Sequence, residues 1–172
     1  ASSSDRRNVI IFDETGRKVG VPPGSGVIAI TRVNWNDAGF ITDADIIFNG
    51  RDFNFSVDDN NTPRRQVDLQ DVLTHEVGHF LGLDHTPLVG PAHLRPTMNP
   101  FNSSEAPREG RSLEADDRAG ITAIYPVEGA TGGVSGQILD PSGSGSFGVH
   151  VVAYEAGTSM FVASALSGSA GS

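Results

Sequence analysis

The stretch THEVGHFLGLDHT, residues 74–86, concentrates side chains that can bind a metal ion. It holds three of the five histidines of the chain, His75, His79 and His85, together with Glu76. On an α-helix of about 3.6 residues per turn, His75 and His79 project from one face and can reach the same ion. The stretch therefore predicts a metal site carried by a helix.

His85 is predicted to complete this site from beyond the end of the helix. Gly82 suits the left-handed conformation that ends many helices, and it lets the chain turn sharply so that His85 reaches the ion. Three neutral histidine nitrogens with one open position form the ligand set of a catalytic zinc, not of a structural one. The pattern predicts one catalytic Zn²⁺ per chain.

Glu76 is the residue predicted to act beside this zinc. It follows His75 directly and can reach a water molecule in the open position. Zinc lowers the pKa of its water toward about 7 and polarises a substrate carbonyl. Glu76 can then take the proton as a general base and deliver it to the leaving amine. The predicted reaction is the hydrolysis of a peptide bond.

Two other functions are compatible with the same residues. One is a non-catalytic binding or adhesion protein on a protease scaffold, although the intact Glu76 favours the enzyme. The other is a zinc hydrolase that acts on a non-peptide amide, which the motif does not distinguish from a peptidase.

The motif is expected on a helix because the apolar residues change their spacing at Asp68. From Leu69 onward they follow helical spacing, and Asp68 can cap the helix. A second helix is predicted from about Ser112, its N-cap, to Tyr125, because Pro126 stops it.

Four β-strands are predicted before the first helix. A buried strand is expected at 8–12, a second at 26–33, and a third within 40–50. Aromatic and polar residues alternate at 53–57, which predicts a half-exposed edge strand. We expect this edge strand to lie along the active-site cleft and to receive substrate.

The composition changes after Pro126. Residues 127–133 are typical of a linker, and three β-like stretches follow at 134–140, 147–156 and 160–166. Three short strands are too few to close a β-sandwich. We therefore expect residues 134–172 to be the truncated start of such a module.

Charge and composition restrict the partners. The net charge of −9 argues against nucleic acid, and no apolar run approaches the roughly 20 residues of a membrane span. Without cysteine, a second zinc site of nitrogen and sulfur ligands is not expected. Oxygen ligands suit calcium, for which Asp43, Asp45 and the DDNN stretch at 58–61 are candidates; the alternative is ordinary solvated acids.

HEVGHFLGLDH resembles the metzincin zinc-protease signature HExxHxxGxxH. Met98, in RPTMNPF, resembles the methionine of the turn that lies below the metal in that clan. Within the clan the chain is most similar to the matrixins, through SLEADDRAGITAIYP and DADIIFNG, and the likeness covers residues 8–126. The tail from Val134 resembles a carboxypeptidase-regulatory-like β-sandwich module.

The matrixin resemblance implies an α+β catalytic domain over residues 1–126, with a twisted mixed sheet, an active-site helix and a C-terminal helix. It implies a zinc endopeptidase that acts on protein or peptide substrates and is secreted or held at the cell surface. Met98 would form an apolar floor under the metal, and Pro100 and Phe101 would lie at the wall of the specificity pocket. Residues 1–7 lack the family's first helix, so we expect the chain to begin inside the domain.

Overall fold

The computed structural model describes residues 5–57, 66–86, 95–101, 108–129 and 132–168. The chain divides into two compact units, residues 1–113 and 114–172. This division groups the second helix with the tail, whereas the predicted catalytic domain, residues 1–126, includes that helix. The domain boundary at Pro126 stays a prediction.

A three-stranded mixed sheet forms the centre of the first unit. Strand β1 (Ile10–Phe12) runs parallel to β3 (Ile41–Phe48), and β2 (Ala29–Trp35) runs antiparallel to β3. The order is therefore β1-β3-β2, with the largely buried β3 in the middle and β2 at one edge. This mixed sheet agrees with the predicted α+β class.

The prediction of a buried strand at 8–12 is wrong as to burial. Ile10 is 56% exposed and Phe12 is 47% exposed, although the Phe12 ring stacks on Phe48. Within the described residues β1 pairs with β3 alone, so it lies at the edge opposite β2. An apolar run indicates a strand, but the number of neighbours that cover it depends on the sheet.

The hydrophobic core forms between this sheet and the first helix, α1 (Leu69–Phe80). Ile46 and Phe48 of β3 and Val72 of α1 are buried together. Two short parallel strands, β4 (Asn54–Ser56) and β5 (Gln66–Asp68), lead into α1. They form a separate two-stranded sheet, and β5 ends at Asp68, directly before the helix begins.

The predicted start and end of α1 are confirmed. The Oδ1 atom of Asp68 accepts a hydrogen bond from the Asp71 amide at 2.9 Å, as an N-cap does. Arg111 donates to both Asp68 oxygens at 2.9 and 2.6 Å, which secures the cap. Gly82 has a φ of 99°, so the chain leaves the helix in the left-handed conformation that glycine permits.

The second helix, α2 (Ala115–Ile124), starts later than predicted. Its N-cap is Glu114, which forms a capping box with Asp117, and Ser112 is not the cap. The Ser112 hydroxyl instead donates to the Glu109 carbonyl oxygen at 3.1 Å, at the end of a 3₁₀ turn. A serine hydroxyl can cap a following helix or donate to a carbonyl of a preceding turn, and Ser112 does the second.

Within residues 132–168, two of the three predicted strands form. Strands β6 (His150–Tyr154) and β7 (Phe161–Leu166) are antiparallel, and α2 packs against β7. Residues 134–140 contribute one isolated bridge, between Leu139 and Gly145. Asp140 accepts hydrogen bonds from the Ser142 hydroxyl at 2.6 Å and the Ser144 amide at 2.9 Å, which favours a tight turn there over a longer strand. The β-sandwich module stays a prediction.

None of the helices within the described ranges has the length and apolarity needed to cross a bilayer.

Candidate metal centre and cleft

The three histidines of the motif converge on one point. The Nε2 atom of His79 lies 3.1 Å from that of His75 and 3.1 Å from that of His85, and the third separation is 3.2 Å. In the part of the chain that the structure describes, no other three histidine or acidic side chains come together in this way. These three residues could therefore hold a metal ion.

Backbone carbonyls orient two of the three imidazole rings. His75 Nδ1 lies 2.7 Å from the Thr97 carbonyl oxygen, and His79 Nδ1 lies 2.8 Å from that of Leu83. Because a carbonyl only accepts, each Nδ1 carries the hydrogen, and Nε2 of the neutral ring bears a lone pair. Two such lone pairs face each other at 3.1 Å. A cation between them relieves this repulsion, so the donor set fits a metal.

The spacing of the Nε2 atoms fits zinc. Zn–N bonds of about 2.0–2.1 Å in a tetrahedral site place two nitrogen ligands about 3.3 Å apart. The observed separations of 3.1 and 3.2 Å are close to this value. Burial lowers the pKa of His85, as do His79 and His75 beside it, and a low pKa favours the neutral ring that binds metal.

Glu76 lies in the cleft beside these rings and is only 4% exposed. Its Oε2 atom accepts a hydrogen bond of 2.6 Å from the Thr31 hydroxyl. Burial raises the pKa of Glu76, against the opposing effects of this hydrogen bond and of His79 and His85. A carboxyl group with a raised pKa, held at the edge of a water-accessible cleft, is suited to taking up a proton.

Thr31 is a site residue that no pattern in the sequence indicates. It lies on β2, 45 residues before Glu76, and also contacts the Glu76 carbonyl oxygen at 3.0 Å. A threonine in a β-branched strand carries no local signal of such a contact.

Met98 lies beneath the helix that carries the histidines. It is 3% exposed, and its sulfur packs against the backbone of Gly78. The Thr86 amide donates to the Met98 carbonyl oxygen at 3.0 Å, which connects this turn to the residue after His85. The arrangement is compatible with the apolar floor that the resemblance implies.

A cleft of about 1090 Å³ opens at the histidines. Its lining includes residues of β2 and of the segment before it, from Ser25 to Trp35, and also Pro100 and Phe101. Phe101 is exposed and is one of the residues that line this cleft. Both predicted pocket residues thus line the same space as Glu76.

The prediction that residues 53–57 lie along this cleft is wrong. Strand β4 pairs with β5 and lines a separate, smaller pocket beside Phe12. The strand that lines the cleft is β2. One edge of β2 pairs with β3, and its other edge pairs with no strand among the described residues. Alternating side chains predict a half-exposed strand, but they do not specify which sheet it joins.

The proposed calcium residues bind the backbone of the segment that leads into β1. Asp43 accepts from the Arg7 amide at 3.0 Å, and Asp45 accepts from the Val9 amide at 3.1 Å. The DDNN stretch at 58–61 lies outside the described residues. Calcium binding stays a prediction.

The family model Peptidase_M10, described as Matrixin, matches residues 31–126. The matched region contains Thr31, the histidine motif, Met98 and the whole of α2. No curated protein matches the chain significantly.

Proposed function

Because this chain belongs to the matrixin family, we propose that it is a zinc-dependent endopeptidase that hydrolyses peptide bonds of extracellular proteins. The convergence of three histidine Nε2 atoms beside a buried glutamate, within one open cleft, is the observation that carries this proposal. His75, His79 and His85 would hold the zinc through these atoms.

When bound, zinc polarises the scissile carbonyl and makes an attacking water molecule more acidic. The carbonyl groups of Thr97 and Leu83 keep the His75 and His79 rings in the orientation that presents Nε2 to the ion. Met98 supports the helix from below, and it is not a ligand.

Glu76 is the general base and then the general acid. Thr31 occupies its Oε2 atom, so Oε1 takes the proton from the attacking water and later delivers it to the leaving amine.

The substrate binds as an extended peptide along the free edge of β2. Main-chain hydrogen bonds to this edge align the peptide, and alternate side chains point toward opposite sides of it. Pro100 and Phe101 form an apolar wall for one of these side chains. In this proposal, main-chain hydrogen bonds position the substrate, and the apolar wall adds a preference for one of its side chains.

We place the catalytic domain at residues 1–126, where the family match also ends, and the start of a β-sandwich module at 134–172, after a linker at 127–133. Secretion or attachment at the cell surface follows from the family's usual location. The net charge of −9 favours neither nucleic acid nor an anionic membrane as a partner.

Digestion of a peptide library by the zinc-loaded chain, read by mass spectrometry, tests the function. Wild type should cleave, and Glu76→Ala should lose on the order of 10²-fold or more in turnover while zinc stays bound. Glu14→Ala is the control, because Glu14 is exposed and lies away from the main cleft.

Each alternative has its own outcome. Zinc binding by a wild-type protein that cleaves no peptide would favour the non-catalytic binding protein. Hydrolysis of small amides alone would favour the non-peptide hydrolase. Cleavage by Glu76→Ala at the wild-type rate would contradict the role of Glu76.

A further inference from the structure

We propose that Thr31 is a positioning residue for Glu76, holding one carboxylate oxygen so that the other faces the cleft. This inference rests on the proposed function, since it concerns the orientation of the general base. It assigns a task to the hydroxyl group of an edge-strand residue, outside the histidine motif.

The first support is the geometry of the hydroxyl group. Its oxygen lies 2.6 Å from Oε2 of Glu76 and 3.0 Å from the Glu76 carbonyl oxygen. A hydroxyl has one hydrogen to donate, and 2.6 Å is the length typical of a bond to a carboxylate. The hydrogen therefore belongs chiefly to Oε2, and the carbonyl contact keeps Thr31 against the same residue.

The second support is the state of the other carboxylate oxygen. Among the described residues, every fully buried side-chain oxygen has a hydrogen-bond partner. Oε1 of Glu76 accepts no hydrogen bond from these residues. Oε1 is therefore not sealed from solvent, although the residue as a whole is buried. Both Glu76 and Thr31 line the cleft, so Oε1 opens into it.

The third support is the rigidity of the position from which Thr31 acts. Thr31 is near the middle of β2, paired with the buried Ile46 of β3, and its β-branched side chain has few rotamers. A glutamate has several rotatable bonds, and a misplacement of about 1 Å can cost about 10²-fold in rate. Thr31 removes this freedom for Glu76.

The location also couples the base to the substrate. β2 is the strand whose free edge we propose to bind the peptide backbone. Thr31 thus fixes Glu76 relative to the same strand that aligns the scissile bond. A shift of β2 would move both together.

Steady-state kinetics on the zinc-loaded full chain separate this role from a structural one. Thr31→Val keeps the shape without the hydroxyl, and it should lower kcat by about 10-fold or more with KM nearly unchanged. Thr31→Ser restores the hydroxyl and should recover most of kcat. Thr42→Val is the matched control, because Thr42 also donates to a backbone carbonyl from a strand, yet it is exposed and away from the cleft.

A second measurement does not depend on activity. Urea unfolding of the zinc-loaded wild type, Thr31→Val, Glu76→Ala and the double variant forms a double-mutant cycle. Thr31→Val should lower the midpoint more in the wild type than in Glu76→Ala, where its partner is already missing. Thr31→Val removes the contact with the Glu76 carbonyl oxygen in both backgrounds, so the difference between the two midpoint shifts reports on the bond to the Glu76 side chain.

Wild-type cleavage of peptides reports on the proposed function, and the Thr31 variants report on this inference. Wild-type kcat in Thr31→Val, or a loss that Thr31→Ser does not restore, would overturn the positioning role. Additive midpoint shifts in the cycle would overturn it as well. If the wild type itself cleaves nothing, the unfolding cycle still tests the contact, and the function is what fails.

Discussion

Met98 packs against Gly78 so closely that a β-carbon at position 78 would lie 2.2 Å from the methionine sulfur and 3.0 Å from its terminal carbon. This contact joins the helix of His75 and His79 to the turn whose Thr97 carbonyl orients His75. The absence of a side chain at Gly78 is therefore what allows the turn to approach the helix.

Gly78→Ala should destabilise the protein, although alanine normally stabilises a helix interior by about 1 kcal/mol over glycine. Met98 is 3% exposed, so its side chain must displace packed neighbours to make room, and overpacking of this kind typically costs about 1–3 kcal/mol. Set against the gain, this leaves a net destabilisation of up to about 2 kcal/mol. Thermal or urea unfolding measures the difference. In a Met98→Ala background the same substitution should be neutral or stabilising, and a more stable Gly78→Ala single variant would contradict the packing.

Metal content should be about one zinc per chain in dialysed protein. His75→Ala and His79→Ala should bring it near zero, because each removes one of three converging nitrogens. Elemental analysis provides the measurement. His150→Ala is the control and should keep the zinc, since His150 is exposed on β6 in the other compact unit.

Two outcomes would contradict this assignment of the metal. A reproducible content near two zincs would require a site that is not among the described residues. Unchanged zinc in the His75 and His79 variants would refute the ligand set itself.

Stability should depend on pH through Asp13, which follows β1. Burial alone would raise the pKa of Asp13, but hydrogen bonds from the Val19 amide, the Thr15 hydroxyl and the Lys18 amide hold it well below the ordinary value. A pKa that is lower in the folded than in the unfolded chain stabilises the fold above the unfolded value of about 4. That stabilisation is lost as the pH falls toward the folded pKa.

Asp13→Asn should therefore lower the unfolding midpoint at pH 7, and the difference from wild type should shrink below about pH 4. Urea unfolding over a pH series checks this. Asp37→Asn, in the exposed turn between β2 and β3, should show little difference at any pH. A pH-independent deficit in Asp13→Asn would mean that packing, and not ionisation, accounts for its effect.

Local patterns in the sequence determined the helix that carries the candidate metal site. The Asp68 cap, the helical spacing from Leu69 and the left-handed Gly82 all act within a few residues, and all three are present in the structure. The spacing of His75 and His79 likewise follows from helix geometry alone, and their convergence with His85 was predicted from the turn at Gly82. Such features depend on neighbours in the chain, which the sequence displays directly.

Only the tertiary structure decided which strand lines the cleft and which residue binds the carboxylate of Glu76. Residues 53–57 and β2 both suit an edge strand, but pairing with β3 placed β2 at the cleft, and pairing with β5 placed β4 elsewhere. The Thr31–Glu76 bond and the Gly78–Met98 contact join residues that are 45 and 20 positions apart. Strand pairing and packing of this kind are settled by the burial of the whole sheet and helix together, so no local pattern specifies them.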